Sequence, residues 1–231
     1  MADFLLKLSL FPLALTLLCY QVGVWVNKKW KSPLTTPLLI AVVLCIGVLL
    51  ATGYSPAAYA NTMNSSFQWL LTPATVCLAV PLYRQMKVLK KSLPAILVGV
   101  VAGTLTAMGS VFALCKVFAL SREVSVSLLT KSVTTAIGLA LTEQNSGLVA
   151  LTPVSTFLTG MTGCVLGLML CKLLKIKKPE PQGAAFGVAA HVIGTSKVSE
   201  VGDLQAAVGT LSLTVSGVLT AILFPIVVNW L

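Results

Sequence analysis

Long apolar runs alternate along this chain with short lysine-rich stretches. Leu8 to Val26 is apolar and is followed by Lys28, Lys29 and Lys31. Pro37 to Gly53 makes a second run, with an uncharged stretch from Tyr54 to Ser66 behind it. Trp69 to Tyr83 is interrupted by Pro73 and Pro81 and leads into Arg84, Lys87, Lys90 and Lys91. Pro94 to Phe118 is charged only at Lys116, Leu148 to Leu170 ends in Lys172, Lys175, Lys177 and Lys178, and Leu204 to Leu231 closes the chain. Runs of this length suit membrane helices better than barrel strands, and no regular series of short alternating strands accompanies them. The pattern predicts an all-α polytopic membrane protein of about six to eight membrane segments, with the lysine clusters on the cytoplasmic side.

Two stretches break the pattern. Leu128 to Leu141, LLTKSVTTAIGLAL, holds Lys131, Thr130, Ser132, Thr134 and Thr135 in an apolar surround. A lysine at the centre of a membrane helix is unfavourable by about 3 kcal/mol, so it ordinarily faces protein, water or a ligand. Ala189 to Glu200, AAHVIGTSKVSE, holds the only histidine, His191, ahead of Gly194, Thr195 and Ser196. Parity constrains both. If Arg84 lies inside and the cluster after Leu170 also lies inside, then Val124 to Thr142 must begin and end on one face. A re-entrant hairpin with Lys131 near its tip satisfies this. By the same logic Gly183 to Val201, too polar for an ordinary span, enters from the cytoplasmic face. The C-terminus then lies outside if this second segment is re-entrant and inside if it crosses. Inverted-repeat secondary transporters build their sites from two opposed broken segments of this kind.

Proline within the third run kinks or breaks its helix. Non-helical backbone at that depth is tolerated where it lines a cavity, so Thr72, Pro73, Ala74 and Thr75 join the candidate solute contacts. Each choice has a plainer alternative. Pro73 can be a structural kink, Lys131 can snorkel from a shallow segment, His191 can satisfy a neighbouring carbonyl, and Glu200 with Asp203 can lie in a solvated loop. Glu143 reads as a solvated cap.

Composition narrows the class. The chain is 57% hydrophobic and 10% charged, whereas soluble domains average about 25% charged residues, so it cannot cover a water-facing surface. Its formal net charge of +10 lies in lysines between apolar runs, without aromatic interleaving. They fit anionic lipid on the inner leaflet, and nucleic acid is not expected as a partner. The six cysteines stand singly in apolar surroundings, without metal-ligand or disulfide spacing, and read as small buried hydrophobes. The first run lacks a small-residue cleavage site and is followed by lysines, so it is expected to be retained. Glycines four apart recur at Gly99/Gly103, Gly163/Gly167 and Gly183/Gly187 and argue for close helix packing. LLTPATVCLAV from Leu70 and LLTKSVTTAIGLA from Leu128 share their opening, suggesting one transmembrane domain, 1–231, with repeat halves 1–120 and 121–231.

Three motifs, PATVCLAVPLY from Pro73, KSVTTAI from Lys131 and HVIGTSKVSE from His191, resemble signatures of the LrgB/CidB family over nearly the whole chain. Ala136 stands where that family commonly has proline, and Thr36-Pro37 where it usually has Asn-Pro. The resemblance implies a bacterial inner-membrane protein described in two ways. One is a holin-like modulator of murein hydrolase export and lysis, acting with a small LrgA/CidA-type membrane partner. The other is a carrier, since plastid relatives exchange glycolate and glycerate and bacterial members are linked to pyruvate uptake.

The residues favour the carrier. A dehydrated carboxylate needs replacement charge and hydrogen bonds. Lys131, Ser132, Thr134, Thr135, His191, Gly194 and Thr195, with Thr72, Pro73 and Thr75, are the expected solute contacts. His191 or Glu200 is the expected proton-coupling group. An oligomeric pore would need no such unlike motifs in two broken segments, although a homo-oligomer is compatible with either description. No nucleophile elbow, metal-ligand set or phosphate-cradling loop is seen, so neither catalysis nor a cofactor is expected.

Overall fold

The computed structural model describes residues 11–30, 35–63, 76–77 and 79–231. Among these no β-strand occurs, and the protein is a polytopic all-α membrane protein. The helices are α1 (Phe11–Lys29), α2 (Pro37–Thr52), α3 (Ala79–Arg84), α4 (Met86–Val117), α5 (Arg122–Leu129), α6 (Thr135–Gln144), α7 (Leu151–Leu173), α8 (Pro179–Ser199) and α9 (Asp203–Val228). Among the described residues α4, α7 and α9 are long and apolar enough to cross a membrane, and α2 is a shorter apolar helix. The chain forms two compact units, Met1–Cys77 and Leu78–Leu231.

In the first unit α1 and α2 pack through Leu15, Cys19 and Ala41. Thr16 Oγ1 lies 2.6 Å from Tyr59 Oη, tying α1 to the helical stretch 56–63. Lysines 28 and 29 end α1, where cations complement the helix dipole. The expected third run falls largely outside the described residues; Thr72, Pro73 and Thr75 lie there.

In the second unit α4 and α9 run parallel. Near their starts Leu89 and Ile96 cluster with Ala207 and Val208, and near their ends Cys115 clusters with Phe224 and Val228. α4 begins two turns earlier than the apolar pattern suggests, with Lys87, Lys90 and Lys91 in its first turns and Pro94 inside it. The segment Met86 to Ser92 is made mostly of good helix formers whose long cationic side chains reach outward, so it extends the helix rather than forming a loop.

Between α4 and α7 the chain dips and returns. Leu148 N donates to Glu123 O at 3.4 Å, and Ser127 Oγ donates to Leu148 O at 3.0 Å, so the start of α5 and the segment after α6 lie side by side. A Cβ on Gly147 would sit 2.7 Å from both Thr142 Cγ2 and Val126 Cγ1, so only glycine permits this approach. The segment is therefore a re-entrant hairpin. Its open end shares a face with Lys116 and Leu231, which line a cleft with Arg122.

α8 forms the second hairpin. Its helical trace changes direction at His191, whose φ of 42° and ψ of −137° are unusual for a residue with a side chain. The first arm runs parallel to α9, Gly183 meeting Val208 and Gly187 meeting Ser212. The second arm folds back, bringing Gly194 against Ala190 and Phe186, and Val198 into a cluster with Cys171 and Ile176. Both ends of α8 thus stay at the lysine-rich end of α7. The C-terminal residue Leu231 lies on the opposite face, as the re-entrant alternative requires.

Candidate functional site

The tip of the first hairpin is the five-residue break Thr130–Thr134 between α5 and α6. Thr130 caps α5 and its hydroxyl donates to Ser127 O at 2.8 Å, a local bond that competes with helix continuation. Thr134 is extended (ψ 144°) and makes no side-chain cap, leaving the N–H groups at the start of α6 without one. The break forms although Ala136 stands where proline is common in the resembling family.

The tip sits beside the middle of two crossing helices. Leu129, Ser132 and Val133 share a small cavity of about 10 Å³ with Thr104 and Met108 of α4 and Ser216 and Thr220 of α9, space for roughly one water-sized sphere. Thr104 Oγ1 donates to Ser216 Oγ at 2.9 Å, so the wall behind the tip is itself hydroxylated. Lys131 is half-buried, and its Nζ donates to Ser132 Oγ at 3.3 Å. Among the described residues the only ion pair is Lys197–Glu200, so the Lys131 ammonium has no carboxylate partner there.

The second tip meets the first through α7. His191 is buried, and its Nε2 lies 2.8 Å from Thr156 O. Thr156 Oγ1 lies 3.2 Å from Thr135 Oγ1 at the start of α6. One threonine of α7 therefore touches both hairpins, through its carbonyl on one side and its hydroxyl on the other. Gly160, one turn further on, makes room for the imidazole, since a Cβ there would lie 3.0 Å from His191 Cε1.

The expected contacts divide accordingly. Lys131, Ser132, Thr134 and Thr135 form one tip, and His191 abuts it through Thr156. Thr195 is buried with its hydroxyl donating to His191 O at 2.8 Å, so it braces the second turn. Gly194 is buried against Ala190 and Phe186 and has no room for a ligand. Glu200 stands apart, exposed and paired with Lys197 at 2.5 Å. Thr156 escaped the sequence reading because it is one of several hydroxyls on an apolar helix. Its only signal is its place ahead of the Gly160, Gly163, Gly167 series. Among the described residues no group of three His, Cys, Asp or Glu side chains could hold a metal ion.

A cation, hydroxyls and an uncapped helix N-terminus at mid-depth can replace the hydration of a small anion. Opposed re-entrant hairpins meeting on a crossing helix define a membrane protein with an internal polar site. Sequence comparison specifies the class: a profile of the LrgB-like family matches residues 16–230, and the chain belongs to that family. It is 32% identical over 220 residues to the antiholin-like protein LrgB of Bacillus subtilis, covering 95% of each chain. Antiholin-like proteins LrgB of Bacillus cereus and Bacillus anthracis are 33% identical over 216 residues, 93% of this chain and 94% of theirs. No solved structure matches.

Proposed function

We propose that this chain is an antiholin-like protein of the bacterial inner membrane, modulating murein hydrolase activity and lysis together with a small LrgA/CidA-type membrane protein. What carries this reading is the 32% identity, over 95% of both chains, with a relative bearing the antiholin-like name. The relatives' names support it better than they support the carboxylate carrier expected from the residues. Deletion of the gene in its host should change the extent of autolysis and the murein hydrolase activity of the culture, and expression of the chain should restore both. Unchanged lysis in the deletion strain would overturn the assignment.

A second reading is favoured by one observation, the Lys131 ammonium at mid-depth, which has no carboxylate partner among the described residues. In this reading the hairpin tips bind a two- or three-carbon carboxylate such as glycolate, glycerate or pyruvate and carry it across the membrane. His191 is better placed than Glu200 to carry a coupled proton, because it lies at the tip and Glu200 does not. In proteoliposomes uptake should saturate and show counter-exchange. Lys131→Ala should lower it at least tenfold while the protein stays monodisperse and melts cooperatively; undiminished uptake would remove Lys131 from the mechanism.

A further inference from the structure

We propose that the groove between α4 and the first arm of α8 is the water-filled passage by which a small anion travels from the lysine-rich face to the Lys131 tip. This rests on the carrier reading. The groove has a volume of about 860 Å³. It begins at Ser92 and Lys178 and reaches Thr106 and Ala107. The fifteen-residue path along α4 corresponds to about 22 Å at 1.5 Å per residue, most of the way through a hydrocarbon layer of about 30 Å.

Three observations carry the assignment. First, the groove ends where the tip begins: Ala107 lines both the groove and the small cavity that holds Ser132 and Val133. Second, the passage is kept open by missing side chains. Among the described residues no heavy atom lies within 4 Å of a Cβ position at Gly99, unlike the tightly packed Gly163 and Gly187, so no helix contact among them explains its place in a small-residue pair. At Gly103 the two helices approach, a Cβ there coming 3.2 Å from Val188 Cγ1. Third, the mouth has the charge an anion requires. Lys178 lines it, Lys172, Lys175 and Lys177 precede it, and Lys87, Lys90 and Lys91 stand on the first turns of α4; they outnumber the acids of this face, Glu180, Asp203 and Glu200, the last of which is paired with Lys197. Clefts with such a surplus concentrate anions at their openings. Beyond the mouth the walls are mostly small and apolar, so they offer an anion no resting place before the tip, as conduction demands.

The competing occupant is a lipid chain, and thiol labelling separates the two. Gly99→Cys and Thr106→Cys place a thiol in the groove, and Val98→Cys places one on a helix surface that is 70% exposed and outside the groove. Full-length variants in sealed inside-out and right-side-out vesicles would be treated with a charged, membrane-impermeant methanethiosulfonate, with modification at each site read by peptide mass. Both groove thiols should react at least tenfold faster than Val98→Cys, and only from the lysine-rich side. Groove thiols as inert as Val98→Cys to the charged reagent, yet modified by a lipid-soluble maleimide, would mean a lipid-filled groove and would overturn the proposal. Labelling needs no transport. Failed uptake with labelled groove thiols would therefore count against the carrier and not against the passage, whereas uptake with inert groove thiols would place the passage elsewhere.

Discussion

The two hairpins reach the same threonine by different means. The α5–α6 hairpin turns over the five residues Thr130–Thr134, whose side chains supply the local bond that ends one helix. The α8 hairpin turns at one residue, His191, which has a positive φ and is held by contacts from outside its own helix. In the first, the bend is encoded locally and neighbours only accommodate it. In the second, the local sequence could continue as a helix, and packing against α7 and α9 decides. Substitutions away from the bend should therefore damage the α8 hairpin more than the other.

The largest effect is expected at Gly163, which faces Ala190 without room for a Cβ. Gly163→Val should destabilise the protein by about 3 kcal/mol through overpacking, read as a lowered midpoint of denaturant unfolding in detergent. A loss much below 1 kcal/mol would show that α8 bends without α7. Next comes a pair at the bend itself. His191→Ala loses the bond to Thr156 and keeps an unfavourable φ, for a loss of about 2 kcal/mol. His191→Gly loses the same bond and relieves the backbone, so it should be more stable than the alanine variant by about 1 kcal/mol. Equal stabilities would mean that no strain is held there. The smallest effect is expected at the link between the hairpins: Thr156→Val should lower stability by about 1 kcal/mol, and Thr156→Ser should restore most of it. If Thr156→Val is as stable as the parent, the hydroxyl's contacts with Thr135 and with Pro153 O contribute nothing and the hairpins are coupled only through the Thr156 carbonyl.

This contrast also explains what could be read in advance. The first hairpin was legible because a lysine and four hydroxyls interrupt an apolar run and because parity required both its ends on one face. The second was legible as a segment too polar to cross, but not as a turn centred on His191. That turn depends on Gly160, Gly163 and Phe186 leaving one space for the imidazole and the returning arm, and such complementarity has no local signature. The glycine pairs were half legible: those on α7 and α8 mediate close packing, whereas Gly99 on α4 borders a groove. Glu200 stood as a candidate coupling group, or a residue of a solvated loop, because it closes the His191 motif; just past the returning arm it is exposed and paired with Lys197.

The shared use of Thr156 bears on how the protein is made. When α5 and α6 leave the ribosome, α7 is still held within it, and of the tip's later neighbours only α4 is in place. Stable insertion of that hairpin must therefore wait until α7 is in place, and His191 can fix its turn only later still. The nascent chain's first 144 residues should accordingly hold the tip in the interface or in the insertion machinery, with its burial a late act of assembly.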